Sequence, residues 1–349
     1  MSKSVCLTGG GTAGHVMPNL ALYDALREQG YDVFYIGSKG LEKDLVASKN
    51  IPFVQIFSGK LRRYFSWQNF LDVFKVGIGC LQCLIILMIR RPALVFSKGG
   101  FVAVPVVFAA WVLRIPVLSH ESDVTPGLAN RIISKFAKKL LYSFPESKKF
   151  LEPSALCVGS PVRPELLTGS AQRGRELCGF TSDHEIILFM GGSQGSVKIN
   201  EAILDALPSL VEKYCVIHIT GKGKQIPFAD SNYKSFEFIG EELRHIYAAT
   251  DFVVARAGAN SIFEFLALNK PMLLIPLVQG SRGDQVHNAR SFESKSWAMV
   301  LDEDALNANT LRQSIEKLSD NNSKIKQSQQ QFKADDSVSL IIKAMEAVL

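Results

Sequence analysis

One pattern recurs along the chain and limits what it can fold into: a short apolar run followed directly by a glycine-rich turn. It occurs at 5–14, 94–100, 186–196, 216–223 and 252–258. Apolar runs of this length, bounded by glycine, are typical of strands buried on both faces of a parallel sheet. Several of the turns are followed by a helical pattern, and strand-turn-helix units repeated in series predict an α/β fold.

The length of the chain favours two domains. Its 349 residues, of which 47% are hydrophobic and 21% charged, are enough for two separate cores. Prolines and a glycine interrupt the pattern at 158–164, so we place a first domain at 1–159 and a second at 160–337. The last helix, 338–349, is expected to pack back on the first domain. Because both halves repeat the pattern, we predict two doubly wound domains facing a cleft.

Charge and cysteine content exclude little but favour a cytoplasmic protein. The net charge of +6 suits an anionic substrate or a membrane surface, yet many soluble enzymes carry as much. The six cysteines lack the spacing of a disulfide framework, and no leader segment begins the chain. Cys80 and Cys83 form a CxxC without a second ligand pair nearby, so we interpret them as helix core. We expect no nucleic-acid partner.

The first glycine turn predicts a phosphate site rather than a dinucleotide site. Gly9 to Gly14 have GxGxxG spacing after a strand. A dinucleotide fold needs an acid at the end of the second strand, but that strand ends Gly37-Ser38-Lys39, so a nicotinamide or flavin dehydrogenase is disfavoured. His15, directly after the turn, is interpreted as a ligand-facing general base or diphosphate donor, with helix capping as the alternative.

A second anion site is indicated at 251–264, which has the sequence DFVVARAGANSIFE. An apolar strand is followed by a small-residue turn and a helix from about Ile262, and the free N–H groups of such a helix bind anions. Glu264, in the first helical turn, is placed to accept hydrogen bonds from two vicinal hydroxyls, such as those of ribose. An ordinary tight turn with an acid that favours the helix dipole explains the stretch equally well.

Two further segments carry specific expectations. His120, Glu121 and Asp123 follow an apolar run and form a candidate acid/base cluster, although helix capping by Asp123 is a competing use. Farther along, the run 236–239 is predicted to be a strand.

The segment 58–91 combines basic, aromatic and apolar residues. Its apolar run, 70–89, has the length of a membrane span, but charges and glycines interrupt it, so we predict a packed helix. The preceding residues predict either a patch that sits at lipid headgroups or merely a basic loop. The residues of this patch are Lys60, Arg62, Arg63, Phe65 and Trp67.

The ordered motifs together resemble the MurG family, the N-acetylglucosaminyltransferases that complete lipid II. They are GGGTAGHVMP, GGF, HESDVTPGLAN, SPVR, GGSQGS, RAGANSIFE and SRGDQVHNA. The resemblance implies a GT-B hexosyltransferase, without cofactor or bound metal, that moves GlcNAc from UDP-GlcNAc to the C4 hydroxyl of MurNAc in lipid I and inverts the anomeric centre. It also implies a peripheral protein at the cytoplasmic face of the plasma membrane, with an anionic lipid surface and cell-wall synthesis or division proteins as partners.

The resemblance also implies the residues that bind the donor. They are Thr12, Ala13 and Gly14 in a closing loop; Arg163, Ser193 and Gln194 near the nucleotide; Phe238 and Ile239 at uracil; Gly258, Ala259, Asn260 and Ser261 at the diphosphate; Glu264 at the ribose; and Asp284 and Gln285 at the sugar hydroxyls.

The chain departs from the usual family pattern at several of these positions. Ala13 replaces a glycine, Ser122-Asp123 replaces Gln-Asn, Phe101 at the acceptor side replaces a tyrosine, and Asp284 replaces a glutamine. An aspartate can act as a base where an amide cannot. The general base therefore stays open between His15 and Asp123, with Glu121 third.

Two other functions remain open at this level, because fold does not determine function. One is another UDP-sugar transferase or an epimerase of the same architecture, which would not need the basic aromatic patch. The other is a non-catalytic nucleotide-sugar-binding scaffold, which would bind UDP-GlcNAc without turning it over.

Overall fold

The computed structural model describes residues 3–59, 67–192, 195–278, 283–331 and 337–349, without the side chains of residues 41 and 67–73. These residues form two compact units. The first lies within Met1–Val162 and Asp335–Leu349, and the second within Arg163–Ala334.

Unit 1 is built on a parallel sheet of seven strands in the order β3-β2-β1-β4-β5-β6-β7. The strands are β1 Ser4–Thr8, β2 Asp32–Gly37, β3 Phe53–Gln55, β4 Leu94–Ser97, β5 Val117–Glu121, β6 Lys139–Tyr142 and β7 Leu156–Cys157. The helices are α1 Ala13–Glu28, α2 Leu41–Ala47, α3 Trp67–Arg90, α4 Ala103–Val112, α5 Leu128–Ile133, the 3₁₀ helix η1 Pro145–Phe150 and the C-terminal α13 Ser337–Glu346.

The strands of unit 1 are apolar throughout because helices cover both faces of the sheet. Leu7 and Phe96 are fully buried in this core. The C-terminal helix α13 contacts α1, and its Ile341 and Met345 belong to the same buried cluster as Leu7. Residues more than 300 positions apart in the chain thus share one core.

Unit 2 has a parallel sheet of six strands in the order β10-β9-β8-β11-β12-β13. The strands are β8 Ile186–Met190, β9 Cys215–Ile219, β10 Tyr233–Phe236, β11 Phe252–Ala255, β12 Met272–Leu274 and β13 Met299–Val300. The helices are η2 Pro164–Thr168, α6 Ala171–Cys178, α7 Val197–Leu210, α8 Leu243–Ala249, α9 Ala259–Ala267, α10 Asp284–Ser294, η3 Glu303–Ala305, α11 Ala308–Asp320 and α12 Asn322–Gln330.

The predicted strand at 236–239 is wrong in position. The strand β10 ends at Phe236, which pairs with Ile219 of β9, and Phe238 beyond it is 70% exposed. β10 is an edge strand that includes Lys234 and Ser235. An edge strand needs no continuous apolar run. The apolar pattern at 236–239 therefore predicted a strand beyond the residues that pair with β9.

The helix α3 confirms the predicted helix but packs on one side only. Cys83 and Leu87 are buried against the sheet. The opposite face is apolar and exposed, and it comprises Phe74, Ile78, Leu81, Ile85, Met88 and Ile89. Despite this apolar face, none of the helices among the described residues has the length and hydropathy of a membrane span.

Candidate active site

The two sheets share the same strand order up to the sixth strand, so each has its switch point between the first and the fourth strand. In unit 1 this point lies between β1 and β4, and in unit 2 between β8 and β11. Open α/β sheets bind ligands at the carboxyl ends of the strands at such a point. The glycine turns after these four strands therefore mark the candidate site in each unit.

In unit 1 the turns after β1 and β4 approach each other closely. Gly100 has a φ of +81°, and a Cβ atom there would lie 2.4 Å from the carbonyl oxygen of Gly10 and 3.1 Å from Cδ2 of His15. Any larger residue would force the two turns apart. The glycines thus allow the His15 ring to lie directly against the turn after β4.

The His15 imidazole has a defined tautomer. Its Nδ1 lies 3.0 Å from the carbonyl oxygen of Lys98. A carbonyl oxygen only accepts hydrogen bonds, so Nδ1 must carry the proton. In the neutral ring the lone pair is then on Nε2, which is the arrangement that a general base requires.

Glu121 is held by three hydrogen bonds inside unit 1. Its carboxylate accepts them from the backbone N–H of Asp123 at 3.0 Å, the backbone N–H of Gly127 at 3.1 Å and Nδ2 of Asn130 at 2.7 Å. The side chain is buried. Glu121 thereby shapes the loop between β5 and α5, whereas Asp123, on that loop, is half-buried.

In unit 2 a cavity of about 80 Å³ lies between the turns after β8 and β11. It is lined by Met190, Gly191, Gly192, Ala255, Arg256, Gly258, Ser261 and Gln285. The helix α9 starts at this cavity, and its N-cap residue Gly258 makes no side-chain cap hydrogen bond. The first N–H groups of a helix without such a cap are suited to an anion.

Close packing holds the last residues of the turn after β8, Gly195 and Ser196, in place. Gly195 has a φ of +68°, and a Cβ atom there would lie 1.9 Å from the carbonyl oxygen of Thr220. Ser196 follows as the N-cap of α7, and its hydroxyl accepts a hydrogen bond from the backbone N–H of Ile199. The backbone of Gly195 and Ser196 is therefore fixed by their contacts with Thr220 and Ile199.

A buried ion pair connects the segments around the cavity. Arg256 pairs with Glu303, and both side chains are buried. The guanidinium also donates to Oγ of Ser196 at 2.7 Å and to the carbonyl oxygen of Ile275 at 3.1 Å. Arg256, which lines the cavity, therefore connects the N-cap of α7 to the end of β12.

A second ion pair joins Arg163 to Glu264. Nε of Arg163 donates to Oε1 of Glu264 at 3.0 Å. Burial raises the pKa of the Glu264 carboxyl above its usual range, and Arg163 opposes that rise. The pairing holds Glu264 as a carboxylate in the first turns of α9.

The other predicted donor residues are distributed over both units. Thr12, Ala13 and Gly14 lie at the start of α1 in unit 1, while Ala259, Asn260 and Ser261 form the first turn of α9 in unit 2. Asp284 and Gln285 begin α10, and Oε1 of Gln285 accepts a hydrogen bond from the N–H of Leu277 at 3.0 Å. Phe238 and half-buried Ile239 follow β10.

Several predicted residues cannot be placed. Ser193, Gln194, Lys60, Arg62, Arg63 and Phe65 lie outside the described residues. Trp67 begins α3, but its side chain is not described, and Phe101 is half-buried directly after Gly100. In the part of the chain that is described, no group of three or more His, Cys, Asp or Glu side chains is arranged to hold a metal ion.

Two buried cations of the switch points were missed at the level of sequence. Lys98 and Arg256 each follow an apolar strand directly, one residue or two before a glycine. A charged residue at that position has its backbone at the strand end and its side chain near the buried edge of the sheet. That placement is the signal in the sequence by which Lys98 and Arg256 could have been found.

Two doubly wound α/β units in one chain, each with glycine turns at its switch point, are the architecture of the GT-B class of glycosyltransferases. Comparisons with known proteins agree. Residues 5–142 match the glycosyltransferase family 28 N-terminal domain, and residues 186–344 match the glycosyltransferase family 28 C-terminal domain.

The chain is also similar to individual proteins over nearly its whole length. It is 50% identical to a UDP-N-acetylglucosamine--N-acetylmuramyl-(pentapeptide) pyrophosphoryl-undecaprenol N-acetylglucosamine transferase of Clostridium botulinum, covering 98% of this chain and 97% of the relative. A transferase of the same name from Geobacillus thermodenitrificans is 46% identical, with 98% of each chain covered. The crystal structure of Acinetobacter baumannii MurG superposes with a TM-score of 0.77 at 25% identity and 99% coverage of both chains. The chain therefore belongs to the MurG family within glycosyltransferase family 28.

Proposed function

We propose that this chain transfers GlcNAc from UDP-GlcNAc to the C4 hydroxyl of MurNAc in lipid I and so forms lipid II for peptidoglycan synthesis. The observation that carries the proposal is the likeness, at 46% and 50% identity over nearly the whole chain, to transferases whose names state this donor and this acceptor. The geometry at the two switch points supports it, because each switch point suits one half of the reaction.

Unit 1 suits the acceptor half of the reaction. Nε2 of His15 takes the proton from the acceptor hydroxyl while the hydroxyl oxygen attacks the anomeric carbon of GlcNAc. The bond from that carbon to UDP breaks on the opposite face, so the configuration inverts through an oxocarbenium-like state. Asp123 is the alternative base. Glu121, with three hydrogen bonds already on its carboxylate, is a positioning residue for the loop that carries Asp123.

Unit 2 suits the donor half of the reaction. As the bond to UDP breaks, negative charge builds on the diphosphate, and the N–H groups at the start of α9 are aimed at the cavity where we place it. Glu264, kept ionised by Arg163, accepts hydrogen bonds from the ribose hydroxyls. We assign Gln285, which lines the cavity, and Asp284 beside it to the GlcNAc hydroxyls.

We further propose that the enzyme binds the cytoplasmic face of the plasma membrane peripherally, through the exposed face of α3. Leu81 is 63% and Ile89 76% exposed on this face, and Trp111 at the end of the neighbouring helix α4 is 51% exposed. The exposed basic residues Lys75, Arg90, Arg91 and Arg114 occur on or near the ends of the same two helices. An apolar helix face with basic neighbours is typical of helices that lie in the headgroup region of anionic membranes.

Vesicle binding tests the membrane assignment. Leu81→Ser combined with Ile85→Ser should weaken binding to vesicles containing phosphatidylglycerol by about two to four orders of magnitude, because each aliphatic side chain contributes roughly 1.5–3 kcal/mol when buried. The matched control is Val197→Ser with Leu204→Ser, which removes two exposed aliphatic side chains from α7 of unit 2. Equal losses in both pairs would contradict the assignment to α3.

Transfer itself is tested with the purified protein, radiolabelled UDP-GlcNAc and a short-chain lipid I analogue. We expect a labelled disaccharide product from the wild type, a raised donor KM for Glu264→Ala, and a collapsed kcat for either His15→Ala or Asp123→Ala. Release of free GlcNAc or its epimer without transfer would favour a different enzyme of this fold. Tight UDP-GlcNAc binding with no turnover on the analogue would contradict the proposed reaction.

A further inference from the structure

Lys98 is a lysine buried at the end of β4, where it extends from the switch point of unit 1 into the protein. Its side chain is only 1% exposed. Nζ lies 2.6 Å from Nδ1 of His120 and 2.7 Å from Oγ of Ser122. Lysine is almost never fully buried without partners, because desolvation of an ammonium is costly. The transfer mechanism described above assigns no role to this group.

The hydrogen-bond directions around Lys98 are determined by its neighbours. Nε2 of His120 lies 2.8 Å from the carbonyl oxygen of Gly159 and must donate to it. In the neutral His120 ring, Nδ1 is then an acceptor, so Lys98 donates to it. The backbone of Lys98 also takes part, because its carbonyl oxygen accepts the Nδ1–H of His15. One residue thus contacts His15 through its main chain and the end of β5 through its side chain.

We propose that Lys98 is a positioning residue for sugar transfer: its buried side chain holds the segment 120–123 in register with the His15 imidazole. The proposal rests on the proposed function and adds a residue that neither touches substrate nor exchanges the reacting proton. Without the contacts of Nζ, the loop that carries Asp123 would lose its link to the strand whose carbonyl orients His15. A misplacement of about 1 Å between reacting groups is enough to lower a rate roughly 100-fold.

The charge of Lys98 makes this role sensitive to pH. Burial lowers the pKa of Lys98 to about 7, and the carboxylates of Glu121 and Asp123 oppose that shift. Burial and the proximity of Lys98 hold the pKa of His120 well below its usual range, so His120 stays neutral. As the pH rises through 7, the ammonium facing Glu121, Asp123 and His120 is therefore lost. We expect kcat to decline on this alkaline side.

The test compares Lys98→Met and Lys98→Arg with the wild type between pH 6 and pH 9, using the transfer assay and, separately, UDP binding. Lys98→Met should lower kcat at pH 7 by about 10- to 100-fold, abolish the alkaline decline and leave the Kd for UDP within twofold. Lys98→Arg, whose charge persists at every pH tested, should retain more activity and show no decline below pH 9.

The matched control is Lys270→Met. Lys270 is a partly buried lysine of unit 2 that donates to the carbonyl oxygens of Ala248 and Thr250. Its replacement should lower the melting temperature but leave the pH profile of kcat unchanged. An unchanged profile in Lys98→Met, with kcat within threefold of wild type, would overturn the proposal.

Ser122→Ala is the second variant, and it tests the proposal if Lys98→Met fails to bind UDP. This variant removes one acceptor from the ammonium and should move the alkaline decline to lower pH, because the charged form loses a hydrogen bond. A profile identical to that of the wild type would overturn the positioning role. Absence of transfer by the wild type would instead overturn the proposed function, and with it this extension.

Discussion

The two units share a strand order but differ in the charged groups at their switch points. Unit 1 places the imidazoles of His15 and His120 and the amine of Lys98 there, and burial lowers the pKa of Lys98 to about 7. Unit 2 places two ion pairs there, Arg163 with Glu264 and Arg256 with Glu303. Arginine stays protonated at every pH at which a protein is folded, so the cation of each pair keeps its charge.

This difference teaches how one scaffold supports two chemical tasks. Proton removal from a hydroxyl needs a base with an available lone pair, and the role that we propose for Nε2 of His15 places that base in unit 1. Holding a diphosphate while its charge grows needs fixed dipoles that do not reorganise, and unit 2 supplies them at the start of α9. The strand order alone predicts where a ligand binds, and the side chains after the first and fourth strands determine what is done to it.

The largest expected effect comes from removing the base that we propose in unit 1. His15→Ala should lower kcat by about 10²- to 10⁴-fold, the usual contribution of a general base. The Kd for UDP, measured by calorimetry, should stay within threefold of wild type, since the donor residues we propose lie mainly in unit 2. A large loss of UDP affinity with little change in kcat would assign His15 to the diphosphate instead and would break the division between the units.

Asp123→Asn is the companion variant. It keeps the size of the side chain but removes the carboxylate, so it should reduce kcat less than His15→Ala does. The reverse order of effects would make Asp123 the base and His15 an orienting group. In both cases the proton chemistry would remain in unit 1. This pair of variants therefore identifies which residue of unit 1 is the base and does not test the difference between the units.

Much of the architecture was predictable because buried parallel strands are apolar along their whole length. The runs at 186–190 and 252–255 coincide with β8 and β11, and the GT-B fold and the family are confirmed. The short edge strands were harder to predict. β10 contains Lys234 and Ser235, and three of its four residues are exposed or half-buried, so the apolar pattern indicated a segment that begins three residues too late.

The polar contacts of the site were not predictable from the sequence. Arg256 and Glu303 are 47 residues apart, and Lys98 and Ser122 are 24 apart. Local patterns place such residues at strand ends but do not identify their partners, because partners are determined by how strands are ordered in the sheet. The exposed face of α3 was missed for a related reason: an apolar run indicates a helix without stating which of its faces is covered.

The next largest effect is expected on stability, from Arg256→Met in unit 2. Breaking a buried ion pair leaves Glu303 charged and unpaired, which costs about 3–5 kcal/mol of unfolding free energy. The double variant Arg256→Met with Glu303→Leu should recover much of this loss, because no buried charge remains. Urea unfolding of the full chain measures both values.

Arg290→Met is the control for this prediction. Arg290 is an exposed arginine that pairs with Asp302 and Glu293 on the surface of the same unit. Surface ion pairs contribute under about 1 kcal/mol, so Arg290→Met should leave the free energy of unfolding nearly unchanged. If Arg256→Met were equally silent, the ion pair would not organise the cavity, and the contrast between the units would lose its structural basis.

A smaller effect is expected from Glu264→Gln. The amide keeps the shape of the side chain but removes the charge that receives the ribose hydroxyls, and hydrogen bonds to charged groups are worth about 1.5–3 kcal/mol. The donor Kd should therefore rise by about 10- to 100-fold, while Glu176→Gln on exposed α6 should have no effect. A change in the pH profile of kcat in Glu264→Gln would show proton chemistry in unit 2 and contradict the comparison.

The smallest effect concerns His218, a titratable group in the core of unit 2. Its Nε2 donates to Oδ1 of Asn200 at 3.0 Å, and its Nδ1 lies 3.2 Å from the Tyr233 hydroxyl. Burial lowers the pKa of His218 to about 4, below the value of about 6.5 in an unfolded chain. The unfolded state therefore binds more protons between these values, and the stability contributed by neutral His218 is lost as the pH falls from 6.5 towards 4.

For one such group the loss between pH 8 and pH 5 is about 2 kcal/mol. The free energy of unfolding of the wild type should fall by that much more over this interval than that of His218→Gln, whereas exposed His287→Gln should behave like the wild type. The pH profile of kcat should be the same in all three proteins, because His218 does not change charge in the folded enzyme above pH 5. An altered profile in His218→Gln would mean that titration in unit 2 reaches the reaction, and proton chemistry would then no longer belong to unit 1 alone.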